Sequence, residues 1–315
     1  MSNLTIIPPG LAIKAMQDGG YKNAAYAIAE IIDNSIQAEA TRVDLMCSEE
    51  NMNLNGRNYS RIKELAIADN GCGMSHEVLQ QALQFGNGTR LEHEKQTGFG
   101  KFGMGLPSAS ISQSKILEVW SWQDGLKSSK FAYLNVNQII NKEQEFISEP
   151  VSREIPKEWI KLMDKTISES KTGTLVVWKQ MERCIWKTGE AIINNSEFLI
   201  GRMYRYFLYN DQVKIRMLVQ NANEEITIER NAKANDPLYL QVNTNTPAPF
   251  DKKPMFEEWD LIEEEISVDG KKYTVEIKSS IVKKETLHED FAEVDSPGDE
   301  PAGRHAKKNI GISIV

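Results

Sequence analysis

The stretch Asn23-Ala-Ala-Tyr-Ala-Ile-Ala-Glu30-Ile-Ile-Asp33-Asn34-Ser-Ile-Gln37-Ala-Glu39 governs the reading of everything around it. Apolar side chains fall at Ala25, Ile28, Ala29, Ile32 and Ile36, the spacing of one buried helix face. Glu30, Asn34 and Gln37 gather on the opposite face, and a helix that only filled a core would not need three polar side chains there. They are the first candidates for chemistry.

Downstream, Glu64 to Ala68 reads as a strand. It stops at Asp69-Asn70-Gly71-Cys72-Gly73-Met74, where an Asn-Gly pair and a second glycine enforce a turn. A helix over 75–85 follows, with Ser75 as its cap. Between Gly86 and Gly105 six glycines stand among polar residues, the composition of a loop that covers a ligand, and we assign the lid to 86–102. Strands are expected at Lys115–Trp122, Lys130–Val136 and Thr174–Lys179, and a helix at Ser196–Tyr209. Then the pattern changes. Val213–Val219, Glu225–Glu229, Glu263–Val268 and Tyr273–Ile281 read as strands joined by connectors such as Thr246-Pro247-Ala248-Pro249, which argues for a second, β-rich domain.

A chain of 315 residues allows two domains at roughly 150 residues each. With 40% apolar and 26% charged residues it is an ordinary globular composition. Cys47, Cys72 and Cys184 form no CxxC pair, and His76, His93, His288 and His305 form no cluster, so neither a zinc site nor a disulfide framework is expected. A reducing interior, cytoplasmic or nuclear, fits this cysteine usage. No apolar run approaches the roughly 20 residues of a bilayer span, and the start lacks a secretory signal. Net charge is −8, concentrated in 251–300, where 16 acidic and 7 basic residues leave −9. A nucleic-acid partner is therefore possible but not indicated by charge.

The run Gly98-Phe-Gly100-Lys-Phe-Gly103 formally matches GxGxxG, but a charged segment precedes it where a dinucleotide fold needs a buried strand. Lys101 is followed by Phe102, not Ser or Thr, which excludes a Walker A loop, and no HRD or DFG string of a protein kinase exists. The ordered set is what carries information. Glu30-Ile-Ile-Asp33-Asn34, Asp69-Asn-Gly71-Cys-Gly73, Gly100-Lys-Phe-Gly103-Met-Gly105-Leu-Pro-Ser108 and Gly173-Thr174-Leu-Val-Val together resemble the four nucleotide-binding boxes of the GHKL ATPases, the superfamily of gyrase, heat-shock chaperone, histidine kinase and mismatch-repair ATP sites. The likeness covers about 1–200 and leans toward the Microrchidia-type branch and its bacterial relatives.

The resemblance implies an α+β chain: a Bergerat-fold α/β sandwich over 1–205 that binds ATP with Mg²⁺, then a transducer-like (ribosomal S5-like) domain over 206–315, cut short at its end. Hydrolysis of the γ-phosphate needs a positioned water and a carboxylate to take its proton, and Glu30 is the expected general base. Family likeness makes Asn34 the Mg²⁺ ligand, a neutral oxygen suited to an ion that takes its other ligands from phosphates and water. Asp69 would accept the adenine amino hydrogen, with Gly71, Gly73 and Met74 beneath the base and the Thr174 hydroxyl supporting the aspartate. Gly98, Gly100, Lys101, Phe102, Gly103, Met104, Gly105 and Leu106 would cradle the phosphates at a helix start. Two departures stand out: Gln37 sits where many relatives have aspartate, and Pro107 where Microrchidia proteins often have lysine.

Family members commonly close the lid on ATP, dimerise, and release on hydrolysis, so a homodimer and further domains or partner proteins are the expected company. Lys307 and Lys308, at the head of an apolar run to Val315 with strand character, are the candidates for a transducer lysine that reaches the γ-phosphate. Two rival readings remain open at this point: a nucleotide-sensing scaffold without turnover, and a phosphotransfer kinase of the same fold, the latter lacking a phospho-accepting histidine upstream.

Overall fold

The computed structural model describes residues 9–86, 104–284, 286 and 301–310. In chain order the first part runs α1 (Pro9–Asp18), α2 (Ala24–Gln37), β1 (Arg42–Leu54), β2 (Arg57–Asp69), α3 (His76–Ala82), α4 (Gly105–Gln113), β3 (Ile116–Trp122), β4 (Lys130–Asn135), β5 (Val151–Ser152), β6 (Gly173–Lys179), β7 (Lys214–Gln220) and β8 (Ile226–Asn231), with short helices between. The expected strands and helices of the first 200 residues are all present, but β2 begins seven residues before the expected Glu64, and the helix expected at Ser196–Tyr209 begins at Gly189 and is broken into Gly189–Met203 and Arg205–Tyr209.

Asn23 starts α2. Its backbone is extended and its side-chain oxygen accepts from the Ala25 and Tyr26 amides at 3.0 and 3.4 Å, satisfying donors that a helix start leaves unpaired. The buried surface is broader than the single expected stripe: Ala24, Ala27 and Ile31 are buried beside Ala25, Ile28, Ala29 and Ile32, because the helix packs against both β2 and α4. Ser75 caps α3 by accepting from the Val78 amide.

Eight strands form one sheet in the order β5-β4-β3-β6-β2-β1-β7-β8, antiparallel throughout except for β1 beside β7. Successive side chains alternate between its faces. Leu65, Ile67 and Asp69 of β2 share the face of α2 and α4 with Thr174, Val176 and Trp178 of β6; Trp178 donates to Ser110 of α4 at 2.8 Å. Ala66, Ala68, Trp120, Trp122, Leu175 and Val177 point the other way, into a core closed by Ile155, Trp159, Leu162 and Ile167.

The strands at the proposed start of the second domain belong elsewhere. β7 and β8 extend the large sheet, and the chain divides into one unit of 1–199 with 211–232 and another of 200–210 with 233–315. The boundary expected at 205–206 is therefore interrupted. Ile215, Met217, Leu218 and Val219 are all buried, so β7 is covered on both faces where it pairs with β1, Leu218 entering the tryptophan core on one of them.

The second unit contains the hairpin β9 (Phe256–Val268) and β10 (Lys271–Val282) and a core of Tyr239, Phe250, Met255 and Ala302. Lys307 and Lys308 do not open a strand: they close the helix Pro301–Lys308. Tertiary contacts decide this, since Ala302 and Ala306 pack on the small core and His305 hydrogen-bonds Tyr239 and Asn245 at 2.9 and 3.1 Å. His305 is half-buried, and burial with Lys308 nearby lowers its pKa to about 4. Residues 311–315 lie outside the described ones.

Candidate functional site

Asp69 ends β2 almost wholly buried, and two donors hold its carboxylate, Ser35 Oγ of α2 at 2.9 Å and the Gly71 amide at 2.9 Å, with the Thr174 backbone at the facing position of β6. Burial outweighs these donors and pushes its pKa up to about 6. Thr174 thus pairs with the aspartate through its backbone. Its hydroxyl, expected to do so, instead lies 3.2 Å from Ser121 Oγ, because strand register puts Asp69, Thr174 and Ser121 in one row across β2, β6 and β3.

The turn after Asp69 is pinned on several sides. Asn70 accepts from the Thr41 and Arg42 amides, and Cys72 donates to the Ala38 carbonyl at the end of α2. The Met74 amide donates to Ser121 Oγ at 2.8 Å. Gly73 has φ +66 and its Cα runs against the Trp122 carbonyl so closely that a Cβ would collide with it. Only glycine meets both demands.

About one and a half helical turns before Ser35 stands Glu30, half-buried on α2. Its carboxylate rests against Gly105, the first residue of α4, where any Cβ would strike the Glu30 carboxylate oxygen. Burial, and then the neighbouring Asp33 charge, raise the Glu30 pKa. Met104 precedes α4 without a side-chain cap, so the first-turn amides around Gly105 and Leu106 are not taken by a capping side chain, and Pro107 is buried in that turn. Between the two ends, the Asn34 side-chain nitrogen is buried and has no hydrogen-bond partner among the described residues. Turning the amide over would put its oxygen there, so the position fits either a phosphate acceptor or a cation.

The structure therefore brings together Glu30, Asn34, Asp69, Gly71, Gly73, Met74, Met104, Gly105, Leu106 and Thr174 along α2 and the adjoining strand ends. Gly98, Gly100, Lys101, Phe102 and Gly103, with the lid from 87 onward, lie outside the described residues. Gln37 is exposed. Ser35 and Ser121 were not singled out by sequence. Ser35 had one local signal, a hydroxyl standing seven residues after Ile28 within an apolar stripe, and Ser121 another, a hydroxyl between Trp120 and Trp122.

Residues 21–174 match the family model of the histidine kinase-, DNA gyrase B-, and HSP90-like ATPases. This region belongs to the GHKL superfamily. ATPase MORC2B of Mus musculus is 32% identical over 105 residues, which cover 33% of this chain and 10% of that protein. The DNA mismatch repair protein MutL of Paramagnetospirillum magneticum is 27% identical over 82 residues, 26% of this chain and 12% of that protein. The chain thus spans about a tenth of the length of the curated relatives it matches. A solved N-terminal domain of a DNA repair protein shares the fold, with a TM-score of 0.52 at 12% identity over 85% of this chain and 70% of that one. No described helix of the chain is long and apolar enough to cross a membrane.

Proposed function

We propose that the GHKL domain binds Mg·ATP across α2 and hydrolyses it slowly to ADP and phosphate, and that nucleotide state gates lid closure and homodimerisation as a switch within a larger intracellular assembly, in cytoplasm or nucleus. The observation that carries the reading is the pairing of a half-buried carboxylate, Glu30, with the uncapped start of α4 at Gly105, five residues along the helix from the buried Asp69 group. Amides at the helix start suit phosphate oxygens, and Asp69 suits the adenine amine. Glu30 accepts a proton from the water whose oxygen attacks the γ-phosphorus, while the bond from that phosphorus to the β–γ bridging oxygen breaks. Asn34 would hold the Mg²⁺, which neutralises phosphate charge when bound.

Glu30→Gln should abolish turnover while leaving Mg·ATP binding within a few-fold of wild type, measured by phosphate release and by calorimetry. Because only ionised Glu30 accepts the proton, wild-type turnover should fall as pH drops through its raised pKa. Asn34→Ala should weaken Mg·ATP binding itself. Wild-type turnover in Glu30→Gln would remove the hydrolytic assignment; tight ATP binding without turnover in the wild type would favour a nucleotide-sensing scaffold. Sedimentation with and without a non-hydrolysable ATP analogue tests the dimer.

A further inference from the structure

We propose that Ser121, a residue outside the four nucleotide boxes, is a positioning residue for base selection: its oxygen takes the Thr174 hydroxyl hydrogen, so that Thr174 presents only lone pairs beside Asp69 and the site separates a 6-amino purine from a 6-oxo purine. The proposal rests on the reading of Asp69 as the adenine acceptor.

A serine hydroxyl has one hydrogen to give and two lone pairs with which to accept. Ser121 uses all three. The Met74 amide donates to its oxygen at 2.8 Å, the Gly173 carbonyl, which can only accept, lies 3.0 Å away, and Thr174 Oγ1 lies 3.2 Å away. Because the Ser121 hydrogen goes to the Gly173 carbonyl, the contact with Thr174 has one direction left: Thr174 donates and Ser121 accepts. Packing holds the arrangement. Ser121 is fully buried, and a Cβ on Gly173 would collide with the Trp122 ring and the Asp69 carbonyl, so Gly173 has little room to turn its own carbonyl away from Ser121.

Strand register carries this into the site. Asp69, Thr174 and Ser121 are register partners across β2, β6 and β3, with Thr174 on the strand between the other two. The Thr174 hydrogen is spent toward Ser121, on the side away from Asp69, and its lone pairs are what remain. Ionised above its pKa of about 6, Asp69 also only accepts, and its bonds from Ser35 and Gly71 leave lone pairs over. Two neighbouring acceptors without a donor suit an exocyclic amine, which carries two hydrogens. A 6-oxo purine would set oxygen against oxygen there, the repulsive element that selectivity needs. Ser121, fully buried, acts on the base through Thr174 and through the Met74 amide, which ties down the turn after Asp69.

The test measures ATP and inosine triphosphate (ITP) affinity by calorimetry on the full chain, ITP being the 6-oxo counterpart without the additional amine of GTP. Wild type should bind ATP at least about tenfold more tightly than ITP, and equal affinities overturn the acceptor pair. Ser121→Ala frees the Thr174 hydroxyl to turn and donate to a 6-oxo group, so the ATP:ITP affinity ratio should fall by about fivefold or more. Thr174→Val, which keeps the shape and removes the hydroxyl, should lower the ratio as well, and the double variant should lower it no further than Thr174→Val alone. A serine that only supported the fold would weaken both nucleotides alike. A ratio within about twofold of wild type in Ser121→Ala, or additive losses in the double variant, overturns the role of Ser121 while Asp69→Asn still weakens ATP binding. ATP affinity unchanged in Asp69→Asn overturns the reading beneath it. If Ser121→Ala fails to fold, Ser121→Cys, whose sulfur accepts only weakly, takes its place with the same expected fall, and an unmoved ratio there overturns the proposal.

Discussion

Asp69 is the residue whose chemistry is most constrained by its surroundings. Its carboxylate is buried, its donors come from α2 and from the turn that follows β2, and its pKa stands near 6, above the usual carboxylate value. An adenine amine adds a donor that favours the ionised form, so protons and ATP compete for Asp69. ATP affinity should hold above pH 6 and decline as pH falls through it, which calorimetry across pH 5 to 8 can follow. Asp69→Asn should weaken ATP binding by about 1–3 kcal/mol, the cost of a buried polar group losing its partner, and remove that pH dependence. Where α4 meets the middle of α2, Gly105→Ala should displace the Glu30 carboxylate, the movable partner in that contact. Turnover should fall at least about tenfold with the fold intact, checked by phosphate release beside a thermal melt.

At the scale of elements, the one parallel junction of the sheet is fastened by charge. Asp44 of β1 is fully buried and faces Arg216, its register partner on β7, at 3.1 Å; Arg42 approaches from its own strand at 3.3 Å, and the Asp164 amide donates to it at 2.6 Å. Arg216 also bonds the Leu162 carbonyl, so the group ties β1, β7 and the segment that closes the tryptophan core. Burial raises the Asp44 pKa, and the amide and both arginines oppose the rise. Removing a partner from such a group strands the remaining charges away from water. Asp44→Ala should cost about 3–5 kcal/mol in denaturant unfolding, far more than loss of an exposed ion pair such as Lys272–Glu265.

At the scale of the molecule, the second unit is where a γ-phosphate sensor was expected. Lys307 and Lys308 stand in the last turn of the helix Pro301–Lys308, anchored through His305 and through Asn309, which pairs with Asn235 at 2.7 Å. A cation at the γ-phosphate would stabilise charge there. Replacing both by alanine tests that expectation: a sensor pair should lower turnover roughly tenfold or more when removed and spare adenine binding. Unchanged turnover would leave them as helix-terminal lysines and turn attention to Lys101.

The sequence by itself determined the polar face of α2 and the turn from Asp69 to Met74, because both are local: helical spacing aligns Glu30 with Asn34, and glycine at a positive φ leaves its mark in a few adjacent residues. The ordered boxes then carried the superfamily. Tertiary structure alone decided that Ser35 holds Asp69, that Ser121 joins Thr174 to Met74, and that Gly105 meets Glu30. Each depends on strand register or on a helix crossing between residues distant in the chain, which no local period encodes. The same reason moved β7 into the large sheet: its apolar run announced a buried strand, but only the open edge of β1 determined where that strand would be buried.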